Sequence, residues 1–202
     1  RIISAIILIP LALYFIVHGS FMLLFFITIC FLVACYEWHM MTKKKSFKFY
    51  GFTFLFFSFY TFYELSIELF LVFFIILICV STDIGGYIFG KMFKGPKLTK
   101  ISPNKTYAGM IGGYFLSLIC LTIIINYIDY PHVPIQFFLL TLLISTVSQI
   151  GDIIISYFKR LSKIKDTGKI IPGHGGLLDR IDGMIFAFPV VYLINLTEYL
   201  NV

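Results

Sequence analysis

Apolar runs recur along this chain, and the breaks between them alternate in charge. That alternation limits the fold more than any motif does. Seven hydrophobic segments can be read, at about 2–17, 21–36, 51–63, 67–87, 107–127, 134–150 and 183–200. Arg1 precedes the first. The second connection carries Lys43, Lys44, Lys45 and Lys48; the fourth carries Lys91, Lys94, Lys97, Lys100 and Lys105; the sixth carries Lys159, Arg160, Lys163, Lys165, Lys169 and Arg180. These are all 16 basic residues, and the intervening connections at 18–20, 64–66 and 128–133 hold none. Basic loops stay on the cytoplasmic side of a membrane, so this pattern predicts seven spans with every basic loop facing the cytoplasm.

Composition agrees. The chain is 59% hydrophobic and 13% charged, where a soluble domain carries about 25% charged residues. Continuous rather than alternating apolar runs argue for helices and against a β-barrel. The expected fold is therefore all-α: a polytopic integral membrane protein with about seven transmembrane helices and a polar active site at the cytoplasmic face. Segment 51–63 is the shortest and is expected to be a short or tilted element. Segment 2–17 has no small-residue cleavage site after it and reads as a span, or the remainder of one, not as a signal peptide. Residues 1–80 would form N-terminal transmembrane helices, and 81–202 a C-terminal catalytic region. Trp38, Tyr36 and Tyr50 flank the first lysine-rich loop as interfacial aromatics would. The four cysteines sit in apolar stretches without metal-type spacing, which suits packing. The net charge of +6 fits orientation and attraction to anionic lipid. No nucleic-acid module is visible.

Polar residues concentrate at 156–182, SYFKRLSKIKDTGKIIPGHGGLLDRID, which holds nine of the 26 charged residues. Two further patches, 81–91 and 101–109, lie on the same basic side. Asp83, Asp152, Asp179 and Asp182 fall at the ends of hydropathy-defined spans. Carboxylates crowded into a poorly hydrated site repel one another, and a bound cation is the economical remedy. Oxygen ligands without a cysteine cluster favour a hard ion such as Mg²⁺. The spacing of Asp179 and Asp182 puts both on one face at the start of the last helix. Each aspartate alone could equally be a helix cap. Pro172-Gly173-His174-Gly175-Gly176 lets backbone N–H groups approach an anion. Lys159, Arg160, Lys165 and Arg180 can neutralise phosphate, with the arginines suited to bidentate contact. His174 is either a donor to phosphate (or general acid) or a turn histidine. Together these residues indicate metal-dependent handling of a phosphorylated substrate.

The strings Ser156, Lys159-Arg160, Lys165-Asp166, Pro172-Gly173-His174-Gly175-Gly176, Asp179-Arg180 and Asp182 resemble the signature of the CDP-diacylglycerol synthase (phosphatidate cytidylyltransferase) family, S-x-x-K-R-x-x-x-x-K-D followed by P-G-H-G-G-x-x-D-R-x-D, at every fixed position. The Asp83 segment with Gly90-Lys91, and Ser102-Pro103-Asn104-Lys105-Thr106, also look like the family. Ala108 departs from it, standing where an acidic residue is common. The resemblance covers residues from about 81 onward. It implies transfer of a cytidylyl group from CTP to phosphatidate with Mg²⁺ at a bacterial inner membrane, and it suggests a homodimer. It further implies Asp152 and Asp179 as leading metal ligands, with Asp182 and Asp83 next. Lys159 and Arg180 would join the catalytic aspartates. Ser156, Arg160, Lys165, Asp166, His174, Gly175, Gly176, Lys105 and Thr106 would bind substrate. The alternatives are a CTP-dependent polyprenol or lipid-alcohol kinase and, in another class, a non-enzymatic lipid-binding or transport protein. A CDP-alcohol phosphatidyltransferase is disfavoured because D-G-x-x-A-R is absent.

Overall fold

The computed structural model describes residues 2–42, 47–99, 102, 105–127, 135–168, 170 and 175–197, without the side chains of 2–9 and 20. Among the described residues there are eight helices and no strand: α1 (Ile2–His18), α2 (Ser20–Thr42), α3 (Lys48–Leu65), α4 (Leu69–Phe93), α5 (Tyr107–Tyr127), α6 (Ile135–Leu161), α7 (Leu178–Ile181) and α8 (Met184–Asn195). Lys97 and Thr106 form one isolated β-bridge. Four helices, α2, α4, α5 and α6, are long and apolar enough to cross a membrane. Each of the seven apolar segments overlaps a helix among the described residues, the last only over 184–195.

The helix ends differ from the hydropathy boundaries. Helices α2, α4 and α6 run on to Thr42, Phe93 and Leu161, well past positions 36, 87 and 150. Hydropathy registers where side chains turn polar, whereas the helix stops where its backbone ladder is broken. Lys94 (φ 51) and Gly95 (φ 84) end α4 in the left-handed region, and Lys163 (φ 56) follows α6. Asp83 and Asp152 consequently lie inside helices rather than at their ends. Trp38 is not interfacial. It is buried, its ring packs edge-on against Phe47 and Phe158, and its indole donates to Lys48 O at 3.0 Å. Tyr36 and Tyr50 are exposed as expected.

Polarity is arranged inside out. Large apolar side chains such as Phe21, Leu32, Ile111 and Ile123 face outward. On α6, Thr141, Ser145 and Ser148 are all fully buried. Their spacing of four and three residues makes a single stripe, which leads to Asp152. Thr82 Oγ1 of α4 donates to Ser145 Oγ at 3.0 Å. Small polar residues allow close helix approach and hydrogen bonding in an apolar medium. Helices α4 and α5 meet through glycines: a Cβ on Gly85 would collide with the Gly112 backbone, and one on Gly109 would stand 2.7 Å from Gly86 O.

Helix α8 contains Pro189, which cannot donate to the carbonyl four residues earlier. That carbonyl, Ile185 O, receives the Ser58 hydroxyl from α3 at 2.7 Å. Ser58→Ala should therefore lower the unfolding free energy by about 1–3 kcal/mol, the cost of orphaning a buried acceptor. In a Pro189→Ala background the loss should be much smaller, because position 189 regains an N–H. Denaturant or thermal unfolding of the four-member mutant cycle in detergent checks this.

Candidate active site

Three carboxylates converge where α4, α6 and the α7–α8 junction meet. Asp152 sits mid-helix on α6, one turn beyond the buried Ser148. Asp182 follows α7 with helical backbone angles (φ −57, ψ −37), so it stays one turn from Asp179. Glycines bring these elements together. A Cβ on Gly151 would lie 2.6 Å from the Phe186 ring and 2.8 Å from Asp182 O, and one on Gly183 would strike Ser148 Oγ. Asp152 and Asp182 lie close enough for the charge of one to bear on the other. Burial first, then the charge of Asp152, pushes the Asp182 carboxyl well above the ordinary carboxylate range. Asp83 of α4 adds to this repulsion and Lys159 partly relieves it.

Lys105 enters from the loop between α4 and α5. Its Nζ donates to Asp152 Oδ2 at 2.8 Å. The loop is folded back on itself: Leu98 N donates to Lys105 O (2.8 Å), Lys105 N to Ser102 O (3.0 Å) and Tyr107 N to Pro96 O (3.2 Å). Thr106 Oγ1 accepts from Gly109 N at 3.1 Å, an N-cap on α5.

Asp179 belongs to a second network. Its Oδ1 accepts from Lys159 Nζ at 2.7 Å. Its Oδ2 accepts from Thr167 N (2.8 Å), Thr167 Oγ1 (3.1 Å) and Gly176 N (3.1 Å). Burial opposes ionisation here, but the Lys159 ammonium and the Thr167 and Gly176 N–H groups outweigh it and hold the carboxyl below its usual range. Gly175 has φ 87, a conformation that suits glycine.

Sequence reasoning missed Glu37 of α2. It is 1% exposed, and it accepts from Leu177 N (2.8 Å), Leu178 N (2.9 Å) and Thr167 Oγ1 (2.9 Å). Its signal was available: a carboxylate beside an apolar run is rarely accidental in a membrane helix. Of the remaining candidates, Ser156 is half-buried one turn beyond Asp152, while Arg160, Lys165, Asp166 and Arg180 are exposed. Arg160 Nη1 donates to Ile164 O at 3.5 Å. His174 lies outside the described residues. Among the described residues no three His, Cys, Asp or Glu side chains form a ready-made metal cage. The repulsion between Asp152 and Asp182 marks the place where a cation would bring relief, and carboxylate oxygen donors suit a hard ion such as Mg²⁺.

Among the described residues the fold is all-helical, with four helices long and apolar enough to cross a membrane and a charged site formed by α4, α6, the α4–α5 loop and the α7–α8 junction. The chain belongs to the cytidylyltransferase family, whose profile matches residues 46–197. It is 42% identical over 139 residues to the phosphatidate cytidylyltransferase of Staphylococcus aureus (strain COL), covering 68% of this chain and 54% of that protein. The enzyme of the same name from Rickettsia typhi (strain ATCC VR-144 / Wilmington) is 43% identical over 124 residues, covering 57% and 54%. That of Staphylococcus haemolyticus (strain JCSC1435) is 41% identical over 119 residues, covering 58% and 46%. The chain spans about half the length of the curated relatives it matches.

Because the Asp179 carboxyl is held below its ordinary value, it contributes stability that is present above the unfolded-state pKa and lost as pH falls through the folded one. Asp179→Asn should lower the unfolding free energy at pH 7 by about 1–3 kcal/mol. The gap to wild type should close below about pH 4. Unfolding curves across pH 3–7 read this directly.

Proposed function

We propose that the chain transfers a cytidylyl group from CTP to phosphatidate, giving CDP-diacylglycerol and pyrophosphate. The observation that carries this reading is the half-buried Asp152–Asp182 pair with Lys105 reaching it from a separate loop, in a chain of the cytidylyltransferase family. A phosphate oxygen of phosphatidate attacks the α-phosphorus of CTP, and the bond to the pyrophosphate oxygen breaks. The attacking phosphate is already ionised, so no general base is needed. The work is positioning and charge neutralisation.

Asp152 and Asp182 would hold Mg²⁺, with Asp83 adjoining. The ion supplies charge neutralisation for the triphosphate when bound. Lys105, which neutralises Asp152 here, would also be within the same site to neutralise phosphate. Lys159 keeps Asp179 ionised and adds positive potential beside Asp182. Ser156, Arg160, Lys165, Asp166 and Arg180 bind the phosphates or the nucleotide, and His174, outside the described residues, is assigned to the same task on its place in the signature. Gly175 and Gly176 shape the turn they approach. Thr106 holds the start of α5, and with it the loop of Lys105. Alternation of the basic connections supports seven spans and a site facing the cytoplasm, where CTP is dissolved, while the acyl chains stay in the bilayer.

The test is product identification with the full-length purified protein, labelled CTP, phosphatidate and Mg²⁺. Pyrophosphate is expected. Release of CDP would replace this reading with a CTP-dependent kinase, and no turnover would leave a binding protein. Asp152→Asn and Asp182→Asn should each lower pyrophosphate release by about 10²-fold or more, with the protein still folded by size exclusion.

A further inference from the structure

We infer that Glu37, which precedes the family-matched segment 46–197, is a positioning residue that clamps the start of α7 and so sets Asp182 against Asp152. This deepens the cytidylyl-transfer reading and rests on it for its kinetic consequence.

Helix α7 has only four residues, Leu178–Ile181. It cannot hold itself together, because a single turn fixes more backbone than its few hydrogen bonds repay. Its direction must come from what grips its two ends. The far end is gripped by α6, through the close approaches of Gly151 and Gly183. The near end is gripped by Glu37, whose two oxygens take the N–H groups of Leu177 and Leu178. Leu178 is itself fully buried. Between these grips lies Asp182, one residue past the helix.

The carboxylate also reaches the other network. Thr167 Oγ1 lies 2.9 Å from Glu37 Oε2 and 3.1 Å from Asp179 Oδ2. A hydroxyl has one proton to donate, so it serves one carboxylate at a time and ties both to the same loop. The surrounding backbone fits around Glu37 closely. A Cβ on Gly168 would stand 2.6 Å from Oε1, and one on Gly176 would strike Thr167 Oγ1 and stand 2.5 Å from Oε2. Glu37 fills the space beside Gly168, and Glu37 with Thr167 fills that beside Gly176.

Glutamine is a poor substitute for a definite reason. Three donors converge on two acceptor oxygens. An amide offers one oxygen, and its NH₂ would point at an N–H. Glu37→Gln should thus loosen the turn without emptying the space.

The experiment uses the full-length protein in nanodiscs, comparing wild type, Glu37→Gln and Glu37→Ala. Hydrogen exchange by mass spectrometry over 175–182 reads the clamp; steady-state kinetics with titrated Mg²⁺ read its consequence. Faster exchange is expected in both variants, with kcat lowered and the half-activating Mg²⁺ concentration raised by roughly 10- to 100-fold, per folded molecule. The inference is overturned if Glu37→Gln keeps wild-type exchange at 175–182. It is equally overturned if activity falls only with the amount of folded protein and the Mg²⁺ dependence is unchanged. A wild type that exchanges slowly here but releases no pyrophosphate would sink the cytidylyl-transfer reading instead. In that case slower exchange in wild type than in Glu37→Gln still supports the clamp.

Discussion

A chain with an apolar exterior must satisfy its ionised groups from within, and the rest of this structure follows from that constraint. In hydrocarbon an unpaired polar group has no water to turn to. The Thr141 and Ser145 hydroxyls of α6, the Ser58 bond to Ile185 O and the three donors around Glu37 are answers to one problem. The Asp152–Asp182 pair is where the problem is left partly open. Two carboxylates are brought together by glycine contacts, with Lys105 paired to one of them. A protein that needs nothing there would have little reason to assemble so strained a set.

Glycine has two separate uses here. Between α4 and α5, Gly85, Gly109 and Gly112 let the backbones touch, which carries Asp83 and the Lys105 loop to α6. In the signature segment, Gly168 and Gly176 make room for the Glu37 carboxylate. A motif read as a phosphate cradle therefore also contains packing glycines. The N–H of Gly176 is spent on Asp179 and those of Leu177 and Leu178 on Glu37, so anion recognition falls more heavily on side chains.

Hydropathy was enough to find the seven apolar segments, because each needs only a continuous apolar run. It was not enough to end them. Glu37, Asp83 and Asp152 look like the edge of a span, yet the backbone continues through each; Glu37 and Asp152 find side-chain or backbone partners far along the chain. The gathering of Lys105, Asp152 and Asp182 was legible from their basic-side location. The division of labour between Asp179 and Asp182 was not, for it depends on Lys159 and Thr167 arriving from elsewhere. Trp38 was misplaced for the same reason: an indole beside lysines reads as interfacial until Phe158 closes over it.

The contacts of Glu37 also carry an order of events. Its partners lie 130 to 141 residues further along the chain. During synthesis α2 enters the bilayer while Thr167, Leu177 and Leu178 do not yet exist. For that interval the carboxylate must be protonated, wait at the interface or draw on the insertion machinery. The arrival of the last segment then converts a burden on the nascent chain into the fastening of the finished one.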